Sequence, residues 1–207
     1  MSPEINRRVF LKAASAGAVT LVNLGSRTLL TYSQVAEEKD ATEITFYANT
    51  EVGRWYFEPV GLYIKPGQKV RWVCHMRGGS VTAFHPANGN HELRIPEKAK
   101  PFDSGMMVDR DVPGSRWEYV FEHPGTYDYF SRNHERLGSA GRIIVGAPGG
   151  PGEKLLGYGE SEGRSVMFPE VRKLLSWLTS DKIVRERRVS YPMDLMGLTY
   201  PMHESHF

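Results

Sequence analysis

Residues 124–145 read PGTYDYFSRNHERLGSAGRIIV, and this stretch decides the fold. Pro124-Gly125 is a turn dipeptide, and the segment Thr126–Phe130 after it is typical of a strand. A second apolar run, Gly141–Val145, closes the stretch, and a polar loop containing His134 joins the two. The pattern predicts two neighbouring strands with a histidine-bearing loop at one end.

Segments on the N-terminal side of this stretch show the same strand signals. Ile44–Ala48 and Lys69–Cys74 alternate apolar and polar residues, so Val70, Trp72 and Cys74 are expected to share one strand face. Further strands are predicted at Gly61–Lys65, Ser80–Phe84 and Arg116–Phe121. Short strands punctuated by turns at this spacing indicate an all-β sandwich.

The predicted strands carry two longer phrases, IKPGQKVRW at residues 64–72 and FEHPGTYDY at residues 121–129. These phrases, with Ala140–Val145 directly after the loop, resemble the framework of the cupredoxin family, the plastocyanin- and halocyanin-like blue copper proteins. The resemblance covers about residues 43–146. It implies a cupredoxin-like Greek-key β-sandwich and a relation to copper-binding electron-transfer proteins.

The resemblance also implies where copper ligands should stand. In this family the loop has the pattern Cys-x-x-His with Met a few residues on, and another histidine precedes a Ser-x-Thr-Ala-aromatic-His-Pro segment. This chain keeps His134, but Ser131 takes the cysteine position, Ser139 the methionine position and Gly79 that of the other histidine. Type-1 copper depends on a soft thiolate with two imidazoles. The resemblance therefore implies a degenerate type-1 site in which His134 is the retained ligand position.

Other side chains offer a different metal site. His85 and His91 lie in a long Pro- and Gly-containing excursion that, in related folds, lies near the ligand loop, and Asp103 is at its end. Imidazole suits copper, zinc and nickel. We expect either a non-blue centre, with copper held by His134 and one of these residues, or no metal at all. Cys74 is the only cysteine, so no intrachain disulfide exists, and we expect it to be a small buried residue.

The first 36 residues are predicted to be a twin-arginine export signal. Asn6–Lys12 resembles the twin-arginine motif, and the mildly apolar run Ala13–Leu24 after it is short for a membrane span. A chance arginine pair in an amphipathic N-terminus is the alternative. Ala36 is a candidate cleavage position, and membrane contact is expected only if the signal stays uncleaved. The signal implies a periplasmic or other extracytoplasmic location.

Residues 37–150 are predicted to be the cupredoxin-like domain, and residues 151–207 a C-terminal extension. A helix is expected over about residues 168–179, followed by a docking tail. Lys182–Arg188 holds four basic residues and one acid, which indicates a solvated or docking stretch. Met and His residues in the tail are of the type that binds Cu(I), but a strap that docks on a protein surface is favoured. One helix face would carry Val171, Leu174, Leu175 and Leu178.

Two functions remain open. The first is an exported cupredoxin-like protein whose degenerate site retains a non-blue metal centre. The second is a metal-free interaction or structural subunit of an exported redox complex, with a protein partner bound through residues 151–207. Enzymatic activity is not expected, because Ser131 near His134 has neither a third catalytic group nor nucleophile-elbow glycines. A net charge of +2, with four basic residues and one acid in the first 36 residues, gives no reason to expect nucleic acid.

Overall fold

The computed structural model describes residues 41–49, 53–75 and 77–197. The predicted export signal and the last residues of the predicted docking tail, including Met202, His203 and His206, lie outside this range. Within it the chain forms nine strands and two α-helices. The strands are β1 Thr42–Asn49, β2 Arg54–Glu58, β3 Gly61–Ile64, β4 Gln68–Cys74, β5 Thr82–Ala83, β6 Arg116–Phe121, β7 Gly125–Phe130, β8 Ala140–Val145 and β9 Arg188–Val189, and the helices are α1 Pro169–Trp177 and α2 Ser180–Glu186.

The strands form a four-stranded sheet in the order β2-β1-β4-β6 and a five-stranded sheet in the order β5-β7-β8-β3-β9. Both sheets are mixed, because β1 runs parallel to β4 and β3 parallel to β8, whereas the other pairs are antiparallel. The predicted all-β, cupredoxin-like sandwich with a helix in its C-terminal extension is confirmed. Strand β2 was not predicted, and β5 is shorter than the sequence indicated.

The core between the sheets follows the predicted alternation. Val70, Trp72 and Cys74 of β4 all point inward and have no exposed surface. Trp72 packs against Tyr129 of β7 with ring centres 5.6 Å apart, and Phe57 of β2 contacts the same tyrosine at 4.8 Å. Strands β7 and β8 are buried along their whole length, because one of their faces meets this core and the other meets the extension.

The C-terminal extension covers the outer face of the five-stranded sheet. Leu174 of α1 is buried in a second apolar cluster together with Phe130 of β7 and Ile144 of β8. Gly61 of β3 permits a close approach, because a Cβ there would lie 2.8 Å from Leu178 Cδ1. The predicted apolar helix face therefore packs on the chain's own sheet.

The structure differs from the sequence prediction after α1. The Lys182–Arg188 stretch contributes to a second helix, α2, which is capped where the Lys182 N–H donates to the Thr179 hydroxyl. Strand β9 follows and pairs with β3. Helix α2 was missed because it buries only Ser180 and Ile183, which leaves no apolar period in the sequence. The domain boundaries at 36 and 150 stay predictions, and no helix within the described ranges is long and apolar enough to cross a membrane.

Four charged side chains are buried between the five-stranded sheet and the extension. We call Glu92, Arg94, Asp128 and Arg142 the charged clamp; each is at most 6% exposed. Asp128 accepts hydrogen bonds from Nε of Arg94 and Nε of Arg142, both at 2.7 Å. Burial alone would raise the pKa of Asp128, but the charges of Arg142 and Arg94 outweigh it and hold that pKa below its ordinary value.

The charged clamp reaches the extension through backbone groups. Arg94 donates to the carbonyl of Gly152 at 2.6 Å, and Arg142 donates to that of Leu178 at 3.0 Å. The carboxylate of Glu92 accepts the N–H of Gly159 at 3.0 Å. Because buried charges need complete pairing, the extension satisfies groups that the sandwich alone would leave open.

Candidate metal centre

Four positions matched to copper ligands in the sequence meet at one end of the sandwich. The Ser131 hydroxyl accepts the N–H of Ser80, the residue after Gly79, at 3.2 Å. It also lies 3.2 Å from Nδ1 of His134, and the Ser131 N–H donates to the carbonyl of Ser139 at 2.9 Å. The structure thus brings these positions together.

The two serines offer poor copper donors. Ser131 has no exposed surface, and its hydroxyl is engaged by Ser80 and His134. The hydroxyl of Ser139 is buried without a hydrogen-bond partner among the described residues. A neutral hydroxyl replaces neither the thiolate nor the thioether that a type-1 centre uses.

The space beside Gly79 is filled by an aromatic ring. A Cβ at Gly79 would lie 2.5 Å from Cδ1 of Phe46 and 3.1 Å from Sγ of Cys74. Phe46 has no exposed surface and packs on Phe57 with ring centres 5.0 Å apart. Any side chain at position 79 therefore requires Phe46 to move, and a second imidazole has no room there.

His134 is held by ring packing. Its imidazole stacks on Trp55 of β2 with centres 4.8 Å apart and planes inclined by 13°. Partial burial lowers the pKa of His134 below its ordinary value, so the ring is neutral at pH 7. A neutral imidazole is competent as a ligand, and it is the one family donor present.

His91 is engaged at both ring nitrogens. Nδ1 lies 2.6 Å from the carbonyl oxygen of Asn88, and Nε2 lies 3.0 Å from both carboxylate oxygens of Glu135. Both ring nitrogens are therefore already occupied by protein partners. Burial alone would lower the pKa of His91, but the hydrogen bond and charge of Glu135 outweigh burial and raise it.

The other predicted metal residues also have protein partners. Nδ1 of His85 accepts the N–H of Ala87 at 3.0 Å, and Asp103 binds Nη2 of Arg132 at 2.8 Å. Burial, together with the charge of Arg164, lowers the pKa of His85. Across the described part of the chain, no group of three or more His, Cys, Asp or Glu side chains is arranged to hold a metal ion. A metal at His134 with His85 or His91 stays a prediction.

The residues present do not fit type-1 copper. The family positions supply one imidazole and two hydroxyls, whereas that centre requires a thiolate and two imidazoles. Cys74 does not replace the missing thiolate at position 131, because it lies in β4 with its side chain in the core between the sheets. Sequence reasoning missed Phe46 and Trp55, whose role depends on contacts between distant strands that no local pattern encodes.

Comparison with known proteins supports the same family. Plastocyanin from Scenedesmus fuscus is 27% identical over 103 residues, which is 50% of this chain and 99% of that protein. Chloroplastic plastocyanin from Tetradesmus obliquus is 28% identical over 100 residues, 45% of this chain and 60% of that protein. Pseudoazurin from Methylobacterium extorquens AM1 is 18% identical with a TM-score of 0.48, covering 69% of this chain and 99% of that one. No family model matches the chain.

The mixed sheets and the histidine loop between β7 and β8 define a blue-copper-type β-sandwich. The plastocyanin match at 27% identity, over nearly the whole length of that relative, supports a cupredoxin family assignment for this chain.

Proposed function

We propose that this chain is an exported protein-interaction subunit built on the cupredoxin fold, with neither a type-1 copper centre nor enzymatic activity. The packing of Phe46 against Gly79 supports the proposal most, because it fills the place of a ligand instead of leaving it vacant. The contacts of the Ser131 hydroxyl with Ser80 and His134 add to this support, since protein groups already engage the side chain at the thiolate position. Family relation suggests that the complex is a redox complex and that electrons pass through the partner.

Export is the second part of the proposal. The twin-arginine motif at Asn6–Lys12 supports a periplasmic or other extracytoplasmic location, since this route carries folded proteins. It suits a chain that crosses the membrane together with a bound partner. The partner contact is proposed to use the extension, residues 151–207, through the side that faces solvent.

A second candidate function is a non-blue copper centre at His134. The neutral, partly exposed imidazole favours it, because that ring needs no proton loss to bind a metal. The centre would hold copper with one of the other predicted residues, and without a thiolate it would lack the intense colour of type-1 copper.

Titration of the purified protein with Cu(II) and with Cu(I) decides between the two. His134→Ala removes the retained family position, and His123→Ala, in the turn between β6 and β7, is the matched control. We expect no stoichiometric uptake, no intense visible band and no difference between the variants. One equivalent of copper that is lost in His134→Ala and kept in His123→Ala would establish the second candidate instead.

A further inference from the structure

Helix α2 and strand β9 of the extension present charged groups to solvent, because the apolar side of this part is used within the chain. Leu174 and Leu178 pack in the second apolar cluster, as does Ile183 of α2. The exposed residues of α2 and of the segment that leads into β9 are all charged: Asp181, Arg185, Glu186, Arg187 and Arg188. A partner that binds this side therefore contacts mainly charged side chains.

A basic patch lies where α2 and β9 meet β3. Within Lys182–Arg188, Glu186 is the one acid, and Lys182 and Arg185 share its carboxylate at 3.5 and 3.2 Å. Four cations against the carboxylates of Glu186 and the neighbouring Asp181 leave the surface positive. The basic patch comprises Lys182, Arg185, Arg187 and Arg188, with Tyr63 of β3 and the exposed Lys65 just after it.

Arg187 has an unfavourable backbone conformation in this patch. Its φ is 64°, in the left-handed region directly after α2. Glycine or asparagine normally takes this position, because a Cβ makes it costly. The Arg187 carbonyl accepts the Tyr63 N–H at 2.8 Å, and its guanidinium carbon lies 4.0 Å from the centre of the Tyr63 ring. A strained arginine kept on the surface and fixed against an aromatic face indicates a use for its charge.

Two cations of the patch, Lys182 and Arg188, are also held in place by contacts other than ion pairs. Nζ of Lys182 lies 4.4 Å from the centre of the Trp177 ring. Nη2 of Arg188 donates to the carbonyl of Glu43 at 3.3 Å. Side chains that are already ordered lose less entropy on binding, so such a surface is pre-organised for an anion.

We propose that the basic patch binds an acidic, carboxylate-rich segment of a partner protein. Guanidinium groups fit carboxylates with two parallel hydrogen bonds, and arginine supplies three of the four cations. Charge complementarity also speeds encounter and makes the contact sensitive to salt. The inference rests on the proposed function for the existence of a partner, and it adds the surface and the chemistry of recognition.

The first test maps the binding of a fluorescein-labelled octaglutamate peptide to the full chain. Its Kd is measured at low and at physiological ionic strength, and amide NMR shifts locate the contact. We expect shifts at Tyr63, Arg187 and Arg188 and weaker binding at higher salt. Shifts centred on the other exposed arginines, such as Arg77 and Arg110, would overturn the assignment.

Charge variants give the matched comparison. Arg185→Gln with Arg188→Gln should weaken peptide binding about 10-fold or more, the size of one strong contact. Lys98→Gln with Lys100→Gln removes the same charge from exposed positions elsewhere and should change the Kd less than about 2-fold. Equal losses of peptide affinity in the two double variants would show that binding depends only on net charge. That result would contradict the assignment of binding to the basic patch.

Arg187→Gly separates binding from folding. Glycine suits a φ of 64°, so this variant should keep or raise the midpoint of thermal unfolding while it weakens peptide binding. A fall in the midpoint with unchanged binding would show that Arg187 serves the fold alone, and would contradict the proposal.

Vesicles of phosphatidylglycerol test the competing anion. The surface would be assigned to lipid if the protein binds vesicles but not the peptide, and if the variant with Arg185→Gln and Arg188→Gln no longer binds vesicles. That result would overturn the protein-partner proposal.

The outcome of these binding tests is independent of the copper titration. His134-dependent copper uptake would overturn the proposed function and leave the peptide results as they are, whereas absent peptide binding would overturn only the patch.

Discussion

The candidate metal centre and the charged clamp involve the same two strands, β7 and β8, yet they use polar groups in opposite ways. At the centre, Ser131 and Ser139 flank the loop with uncharged hydroxyls, and aromatic rings fill the remaining space. At the clamp, Asp128 and Arg142 are buried charges with complete pairing. Charged groups therefore join the sandwich to the extension at the clamp, whereas at the loop uncharged hydroxyls and aromatic packing occupy the positions of the family ligands.

Removal of residues 151–207 should have the largest effect. The truncated chain would expose the outer face of β7 and β8, and the guanidiniums of Arg94 and Arg142 would lose their backbone acceptors. Because a domain is stabilised by only about 5–15 kcal/mol in total, we expect no cooperative fold. Near-UV circular dichroism and solubility check this. If the truncated protein unfolds cooperatively at the midpoint of the full-length protein, the extension does not contribute to the stability of the sandwich.

Asp128→Asn should destabilise the protein by about 3–5 kcal/mol, because it removes the buried counter-charge of Arg142 and leaves Arg94 with Glu92 alone. Asp103→Asn is the control, since its pair with Arg132 is partly exposed and should be worth about 0–1 kcal/mol. Urea unfolding of both variants measures the difference. Similar losses of unfolding free energy in the two variants would show that the charged clamp stabilises the protein no more than the partly exposed ion pair near the loop.

Gly79→Ala should cost about 1–3 kcal/mol, because the new Cβ overlaps the Phe46 ring in a packed site. Gly149→Ala is the control, since a Cβ there meets nothing within 4 Å and its φ is not positive. Comparison of the midpoints in urea checks the expectation. An unchanged urea midpoint in Gly79→Ala would show that the space at position 79 is open. A ligand side chain could then be accommodated there, contrary to our proposal.

The smallest expected effect is a dependence on pH at His91. Its pKa is raised in the folded chain, so its contribution to stability is present below the unfolded pKa of about 6.5 and is lost as pH rises through the folded value. His91→Gln should therefore cost most at acidic pH and least at alkaline pH. Thermal unfolding of both proteins across that range measures the difference. A gap that grows with pH would show that Glu135 does not hold the ring as a cation.

Much of the sandwich could be predicted from local patterns. Lys69–Cys74 and Arg116–Phe121 alternate, and the structure has strands at both places. Strand β2 was missed because its sequence, RWYFE, is a run of aromatic residues without alternation. The predicted helix face is present, but a face of apolar residues does not say whether it binds a partner or the chain's own sheet.

The candidate site was predictable as a set of missing donors but not as a packed site. Ser131, Ser139 and Gly79 follow from the resemblance to the family, and the structure brings their loops together. The filling of position 79 by Phe46 depends on a contact between β1 and the loop after β4, which only the tertiary structure reveals. The engagement of His91 by Glu135 is likewise a contact between segments 44 residues apart.

The metal content of the protein shows whether its family site has lost copper. The protein is purified from its native compartment after growth with ample copper, and its copper and zinc are measured together with its visible spectrum. We expect less than one equivalent of metal per chain and no intense absorption band. One equivalent of copper with the strong colour of a type-1 centre would contradict it.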